Sequence, residues 1–392
     1  MKNFSYQNTT KLIFGEDKIV EVANEISKLG PKTLLVMGGT SFIKNGYYES
    51  LVQALQEKGV STYDFKGVVT PLLSKVREGI QICRDNQIDS IIGIGGGTVM
   101  DVAKAIAFGV KQKEDIWKFL DMEISEENRS HLPVITIVTY PSSGSEMDSS
   151  AQIDHDQTLE KRGLNSIFPM IAWLNPAYMK SIPEINLKYG QMTVFAQLSS
   201  GYLSLERSDL SESISLAFMT TVMDNLKRAL NDSKDEEARK NLMLASSLSV
   251  SGITTLGKEG DWSLIPLVGM AQTILNVSYT EAMTILLPYW IKYIYAGQNI
   301  FKDYFKNIFD LTLTDLNDEQ ILKIGLDHLN LFYKEIGVAT TFKELNPSID
   351  KSVKKQIIQF AKNQGELFSQ YRPFTPELVE EIMVEASGIA SK

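Results

Sequence analysis

The chain is 392 residues long, 43% hydrophobic and 22% charged, with a formal net charge of −9. That length and apolar share suit a globular protein of two domains, since single cores stop growing at roughly 250–300 residues. An acidic chain without a local basic patch excludes a nucleic-acid partner, and the single cysteine, Cys83, excludes an internal disulfide and a thiolate metal site.

The first 14 residues are polar and mixed, with no apolar leader core. The most apolar long stretch, residues 283–295, is broken by Pro288 and Lys292 and is too short to span a bilayer. The expected location is the cytoplasm, with no membrane partner. Lys32–Met37 (KTLLVM) predicts a short strand ending in Gly38-Gly39, and residues 46–58 follow with helical spacing. Ser61–Phe65 predicts a strand, and Ser74 is placed to cap a helix reaching about Asn86 with Cys83 on its core side. Residues 90–94 (SIIGI) predict a strand closed by three glycines, then a helix to about Phe108; Val134–Val138 (VITIV) predicts a further buried strand. Continuous apolar runs alternating with helices predict a doubly wound, Rossmann-like parallel sheet covered on both faces. From 149 to 182 the pattern is irregular, with a strand-like piece at 170–174. After Asn186 only helical periodicity remains, interrupted by polar loops near 231–235, 310–319 and 346–348. The expected organisation is an α/β domain over residues 1–183 and an all-helical domain over 184–392.

The sharpest motif is Gly95-Gly96-Gly97-Thr98-Val99-Met100-Asp101-Val102-Ala103-Lys104, which closes a buried strand and opens a helix. Glycines admit a pyrophosphate without a clashing Cβ, and a helix N-terminus offers free N–H groups and the positive end of its dipole. Gly95, Gly96, Gly97, Thr98 and Asp101 are therefore candidate dinucleotide contacts; a plain strand-to-helix turn is the competing reading. Gly38-Gly39-Thr40-Ser41 forms a second such turn. An acidic residue there would hold the ribose 2′-hydroxyl of NAD. Here the place is glycine, with Ser41 nearby and Lys44 one turn on, which leaves room and a cation for the 2′-phosphate of NADP; NAD is the second choice. Thr139-Tyr140-Pro141-Ser142-Ser143-Gly144-Ser145-Glu146-Met147 follows the next strand, and Thr139, Ser142 and Ser143 are candidates to wrap adenine or the nicotinamide ribose. Lys161 is a further candidate cofactor contact. The competing reading of this third segment is a generic loop.

Together these segments, with residues 4–15, 174–183, 241–251 and 260–263, resemble the iron-containing alcohol dehydrogenase family, in particular its butanol-dehydrogenase-like branch. The resemblance covers nearly the whole chain. It implies a dehydroquinate synthase-like architecture, an α/β dinucleotide domain before an all-helical one, with a small-molecule ligand in the cleft between them and a homodimer. It also implies hydride transfer between a nicotinamide cofactor and an alcohol or aldehyde, with iron or zinc polarising the substrate oxygen. The family's metal ligands are an aspartate, a histidine four residues later, and two histidines fourteen residues apart. A relay histidine lies four past the third ligand.

In register, these places read Thr193, Gln197, Ile265 and Tyr279, with Gly269 at the relay position. Tyr189-Gly190, Trp262 and Ile285-Leu286-Leu287-Pro288 hold that register on the flanks. The three histidines, His131, His155 and His328, lie elsewhere. The expectation is a relative that binds NADP, lacks iron or zinc, and is catalytically impaired or divergent. The alternative is an NADP-dependent alcohol or aldehyde oxidoreductase working without metal or with a rebuilt site. Tyr279 is then the candidate acid, with Tyr140 and Lys161 near the cleft; a space-filling ring is the simpler reading of Tyr279. Glu146, Asp148, Asp261 and Glu281 are candidate magnesium ligands, each more simply a solvated carboxylate.

Overall fold

The computed structural model describes residues 1–392 except 126–128, 159, 166, 296 and 390–392. Among the described residues eight strands come first: β1 (Lys11–Phe14), β2 (Lys32–Met37), β3 (Ser61–Phe65), β4 (Ser90–Gly95), β5 (Val134–Val138), β6 (Ala151–Asp154), β7 (Lys161–Leu164) and β8 (Ile171–Leu174). Interleaved with them are α1 (Ile19–Ser27), α2 (Ser41–Lys44), α3 (Tyr47–Gln56), α4 (Leu73–Asn86) and α5 (Gly97–Lys111). Six strands form one parallel sheet in the order β1-β8-β5-β4-β2-β3. Alternate residues of each strand feed opposite cores. Leu34, Val36, Ile91 and Val134 pack with α4 and α5 on one face. Leu35, Met37, Ile92, Ile94, Ile135 and Ile137 pack with α1 and α3 on the other. The Rossmann-like expectation therefore holds, because strands buried on both faces carry the continuous apolar runs seen in the sequence.

Three local features differ from the sequence reading. β1 pairs with β8 at the sheet edge, Lys11 opposite Ile171, although its flanks are polar. β6 and β7 form a separate antiparallel pair within the irregular stretch. Helix α4 starts at Leu73 with Leu72 as its cap residue, so Ser74 is not the cap. Instead the Asp156 carboxylate accepts from the Ser74 N–H at 2.9 Å and from its hydroxyl, supplying an acceptor from a distant loop. Cys83 is buried on α4 as expected, and burial pushes its thiol up to about 12.

After residue 183 the elements are helical: α6 (Glu184–Tyr202), α7 (Asp209–Asn231), α8 (Glu236–Leu248), α9 (Leu264–Leu275), α10 (Tyr279–Ile294), α11 (Asn299–Phe309), α12 (Asp318–Ile336), α13 (Phe342–Leu345), α14 (Lys351–Gln364) and α15 (Pro376–Ser387). Helix α6 is buried from Tyr189 through Tyr202, which marks it as the central helix of its unit. The chain divides into two compact units. One comprises residues 7–183 and 232–252, the other residues 1–6, 184–231 and 253–392. Helix α8 thus packs with the α/β unit, where Arg239 donates to the Met179 carbonyl at 2.7 Å. None of the helices among the described residues is long and apolar enough to cross a membrane.

Candidate nucleotide-binding site

The strand order reverses between β2 and β4: β3 lies on one side of β2, while β4, β5, β8 and β1 follow on the other. In an open α/β sheet such a switch point opens a crevice at the carboxyl ends of the two strands, where ligands bind. Both glycine turns are there. Gly38-Gly39 follows Met37, which pairs with Ile94, and Gly95 closes β4 beside Val138. The third segment arrives at the same edge, because the Thr139 N–H donates to the Gly95 carbonyl at 2.9 Å.

The glycines of the turn from Gly95 to Gly97 first make room for the chain itself. A Cβ on Gly95 would meet the Val99 side chain at 2.6 Å, and one on Gly96 would meet Tyr140 at 3.1 Å. One on Gly97 would lie 2.3 Å from Ser143 Oγ. The loop from Thr139 to Met147 is therefore laid directly over the start of α5. Gly39 is the contrast: apart from its chain neighbours, no atom of the described residues lies within 4 Å of its Cβ position. Helix α5 begins without a side-chain cap, since its cap residue is Gly96, and such an N-terminus favours an anion. Thr98 is half-buried in its first turn. On the other side of the switch point Thr40 precedes the short α2, Ser41 is exposed, and Lys44 is exposed with no ion pair among the described residues.

Other candidate contacts are engaged within the protein. Asp101 accepts from Ser145 Oγ at 2.7 Å and from the Gln152 N–H at 3.1 Å. Burial pushes Asp101 up to about 6, against the opposing pull of the neighbouring Lys104 charge. Lys161, on β7, is paired with Asp154 at 2.5 Å. Ser142 is buried, and Ser143 Oγ accepts from the Ser145 N–H at 3.3 Å.

The sequence reading passed over Lys104, the last residue of the glycine motif. Its side chain is fully buried, and its ammonium donates to Ser145 Oγ (2.9 Å), the Asp148 carbonyl (3.0 Å) and carboxylate (3.1 Å), and the Ser150 carbonyl (2.6 Å). The available signal is a lysine inside the otherwise apolar run VAKAIAF. Beside it, Gly144 takes a left-handed turn against the Ser246 and Ser247 carbonyls. The buried Glu146 accepts from Ser247 Oγ, and burial raises its carboxyl.

In the helical unit, Thr193 and Gln197 lie on the buried length of α6, and the Thr193 hydroxyl donates to the Tyr189 carbonyl at 2.9 Å. Ile265 and Gly269 lie on α9, both half-buried, and Tyr279 opens α10. The four candidate magnesium carboxylates have protein partners. Asp261 accepts from Ser263, Ser369 and Gln370, and Glu281 closes a capping box with Ser278. Asp148 accepts from Ser150 and Lys104, and Glu146 from Ser247. The histidines are also locally engaged. His131 Nδ1 donates to the Leu132 carbonyl at 2.8 Å, and His328 Nδ1 to the Ile324 carbonyl at 2.9 Å. His155 Nδ1 accepts from the Gln157 and Thr158 N–H groups. Among the described residues no three His, Cys, Asp or Glu side chains come together in a way that could hold a metal ion.

Comparison with known proteins agrees with this architecture. Residues 9–176 match the model of the iron-containing alcohol dehydrogenase family, and residues 189–387 match the C-terminal model of the same family. The chain is 31% identical to NADH-dependent butanol dehydrogenase A of Clostridium acetobutylicum over 97% of its own length and 99% of that protein. It is 23% identical to the NADPH-dependent aldehyde reductase YqhD of Escherichia coli over 87% and 88%. The crystal structure of NADH-dependent butanol dehydrogenase A from Thermotoga maritima superposes with a TM-score of 0.90 at 26% identity, covering 99% of each chain. The relatives' names thus carry both nicotinamide cofactors. By sequence and by fold, the chain belongs to the iron-containing alcohol dehydrogenase family.

Proposed function

We propose that this chain binds a nicotinamide dinucleotide, NADP in preference to NAD, and has given up the family's iron or zinc site, leaving a catalytically impaired or divergent relative. The observation that carries the reading is the contrast between the two units. In one, three loops meet at the switch point of a parallel sheet beside an uncapped helix N-terminus. In the other, the expected ligand places offer a hydroxyl already donating to a backbone carbonyl, a neutral amide, an alkane and a phenol. Iron and zinc take imidazole and carboxylate, and that donor set does not fit them. The preference for NADP rests on the open space at Gly39 and the exposed ammonium of Lys44. A cytoplasmic location and, by family resemblance, a homodimer complete the reading.

The test is a fluorescence titration with NADPH and NADH on purified protein. NADPH is expected to bind more tightly than NADH, and Lys44→Ala to weaken NADPH about tenfold while leaving NADH within about twofold. Binding of neither cofactor would overturn the reading. Turnover of an aldehyde series at the rate of an ordinary dehydrogenase, about 1–1000 per second, would overturn the claim of impairment.

A further inference from the structure

Lys104 is unusual among the charged groups of the α/β unit. Its side chain has 0% exposure, it is the one charged member of the buried residues of α5, one turn on from Asp101, and its ammonium reaches the 145–150 segment. Burying a cation is unfavourable unless its donors are matched. Here they reach four acceptors, all on the 145–150 segment. Ser145, which accepts from Lys104, passes its own proton to Asp101 one turn back on α5 at 2.7 Å. The Ser145 N–H in turn donates to Ser143 Oγ, and that oxygen stands 2.3 Å from the Cβ position of Gly97. A continuous path therefore runs from the buried ammonium to the first residue of α5.

We propose that Lys104 is a positioning residue for the pyrophosphate turn, setting the loop from Thr139 to Met147 against Gly96 and Gly97 through Ser145 and Ser143. This rests on the nucleotide-binding reading above and adds to it a residue that touches no cofactor atom. The charge distribution supports the role. Asp101, Asp148 and Glu146 all lie within the field of this one ammonium. Without it this acidic group loses its counter-charge close to the turn, which disfavours a diphosphate there. A neutral side chain at 104 thus both loosens the loop and makes the site less hospitable to an anion.

The experiment measures three dissociation constants, for NADPH, ADP-ribose and adenosine 2′-phosphate, on the wild-type protein and on Lys104→Met and Ser145→Ala. The first two ligands carry a pyrophosphate and the third does not. For Lys104→Met the expected result is at least about tenfold weaker NADPH and ADP-ribose binding with adenosine 2′-phosphate within about twofold. Ser145→Ala, which keeps the buried ammonium, is expected to show the same split at smaller size, and it stands alone as the test if Lys104→Met does not fold. Wild-type protein that binds no NADPH would overturn the nucleotide reading and this proposal with it. Wild-type binding with unchanged constants in the folded variants would overturn the positioning role alone. Equal weakening of all three ligands would also overturn it, because general loosening of the fold does not distinguish the pyrophosphate.

Discussion

Ser247 donates its hydroxyl proton to the Glu146 carboxylate across 101 residues of sequence, and both side chains are buried. This bond fastens α8 to the loop that covers the glycine turn. Removing the donor leaves a buried acceptor unsatisfied, so Ser247→Ala is expected to cost about 1–3 kcal/mol in urea unfolding. Glu146→Gln keeps an acceptor for Ser247 and removes the charge whose burial is unfavourable. It is expected to be neutral or stabilising at neutral pH. A Ser247→Ala variant as stable as the wild type would show that the bond does not fasten the loop.

Asp101 gives a pH dependence of known sign. Burial pushes it up to about 6, so the folded protein holds this proton more tightly than the unfolded chain. The contribution to stability is full at low pH and is lost as pH rises through about 6. Urea midpoints of the wild type and Asp101→Asn, compared between about pH 5 and about pH 7, are expected to diverge in that direction, the wild type losing ground as pH rises. Parallel curves would exclude Asp101 as the group responsible.

Two glycines at the same crevice are expected to respond differently to alanine. At Gly97 the added methyl meets Ser143 Oγ, so the loop must shift and NADPH affinity is expected to fall about tenfold or more. At Gly39 the methyl enters open space, and unfolding stability is expected to stay within about 0.5 kcal/mol. Gly39→Asp supplies the acidic group that holds a ribose 2′-hydroxyl and repels a 2′-phosphate. Titration is expected to show preference shifting from NADPH toward NADH.

Tyr279 opens α10, and under the proposed reading it stands where a metal ligand was given up. If its ring fills space, Tyr279→Phe leaves any residual NADPH-dependent aldehyde reduction unchanged within about twofold. A loss of about 100-fold, the scale of a general acid, would instead assign it chemistry.

The parallel sheet is legible in the sequence because strands buried on both faces leave unbroken apolar runs such as KTLLVM and VITIV. β1, β6 and β7 are not, since four residues such as KLIF, AQID or KRGL carry too little alternation to stand out. Nor does helical period say which body a helix packs against. The placement of α8 is decided by long-range bonds, Arg239 to the Met179 carbonyl and Ser247 to Glu146. Within the site, the glycine turns are legible as turns, but the reason for Gly96 and Gly97 is not. That reason is the side chains of Tyr140 and Ser143, which reach the turn only once β5 lies beside β4. Lys161 illustrates the same limit, because Asp154 opposite it becomes visible only when the β6–β7 register is known.

Nucleotide binding without a metal is tested by NADPH calorimetry on protein loaded with iron or zinc and then desalted, with metal content determined on the same sample. Saturable NADPH binding and far less than one metal ion per chain are expected. Stoichiometric iron or zinc would contradict that expectation, and would mean that residues other than Thr193, Gln197, Ile265 and Tyr279 hold the ion.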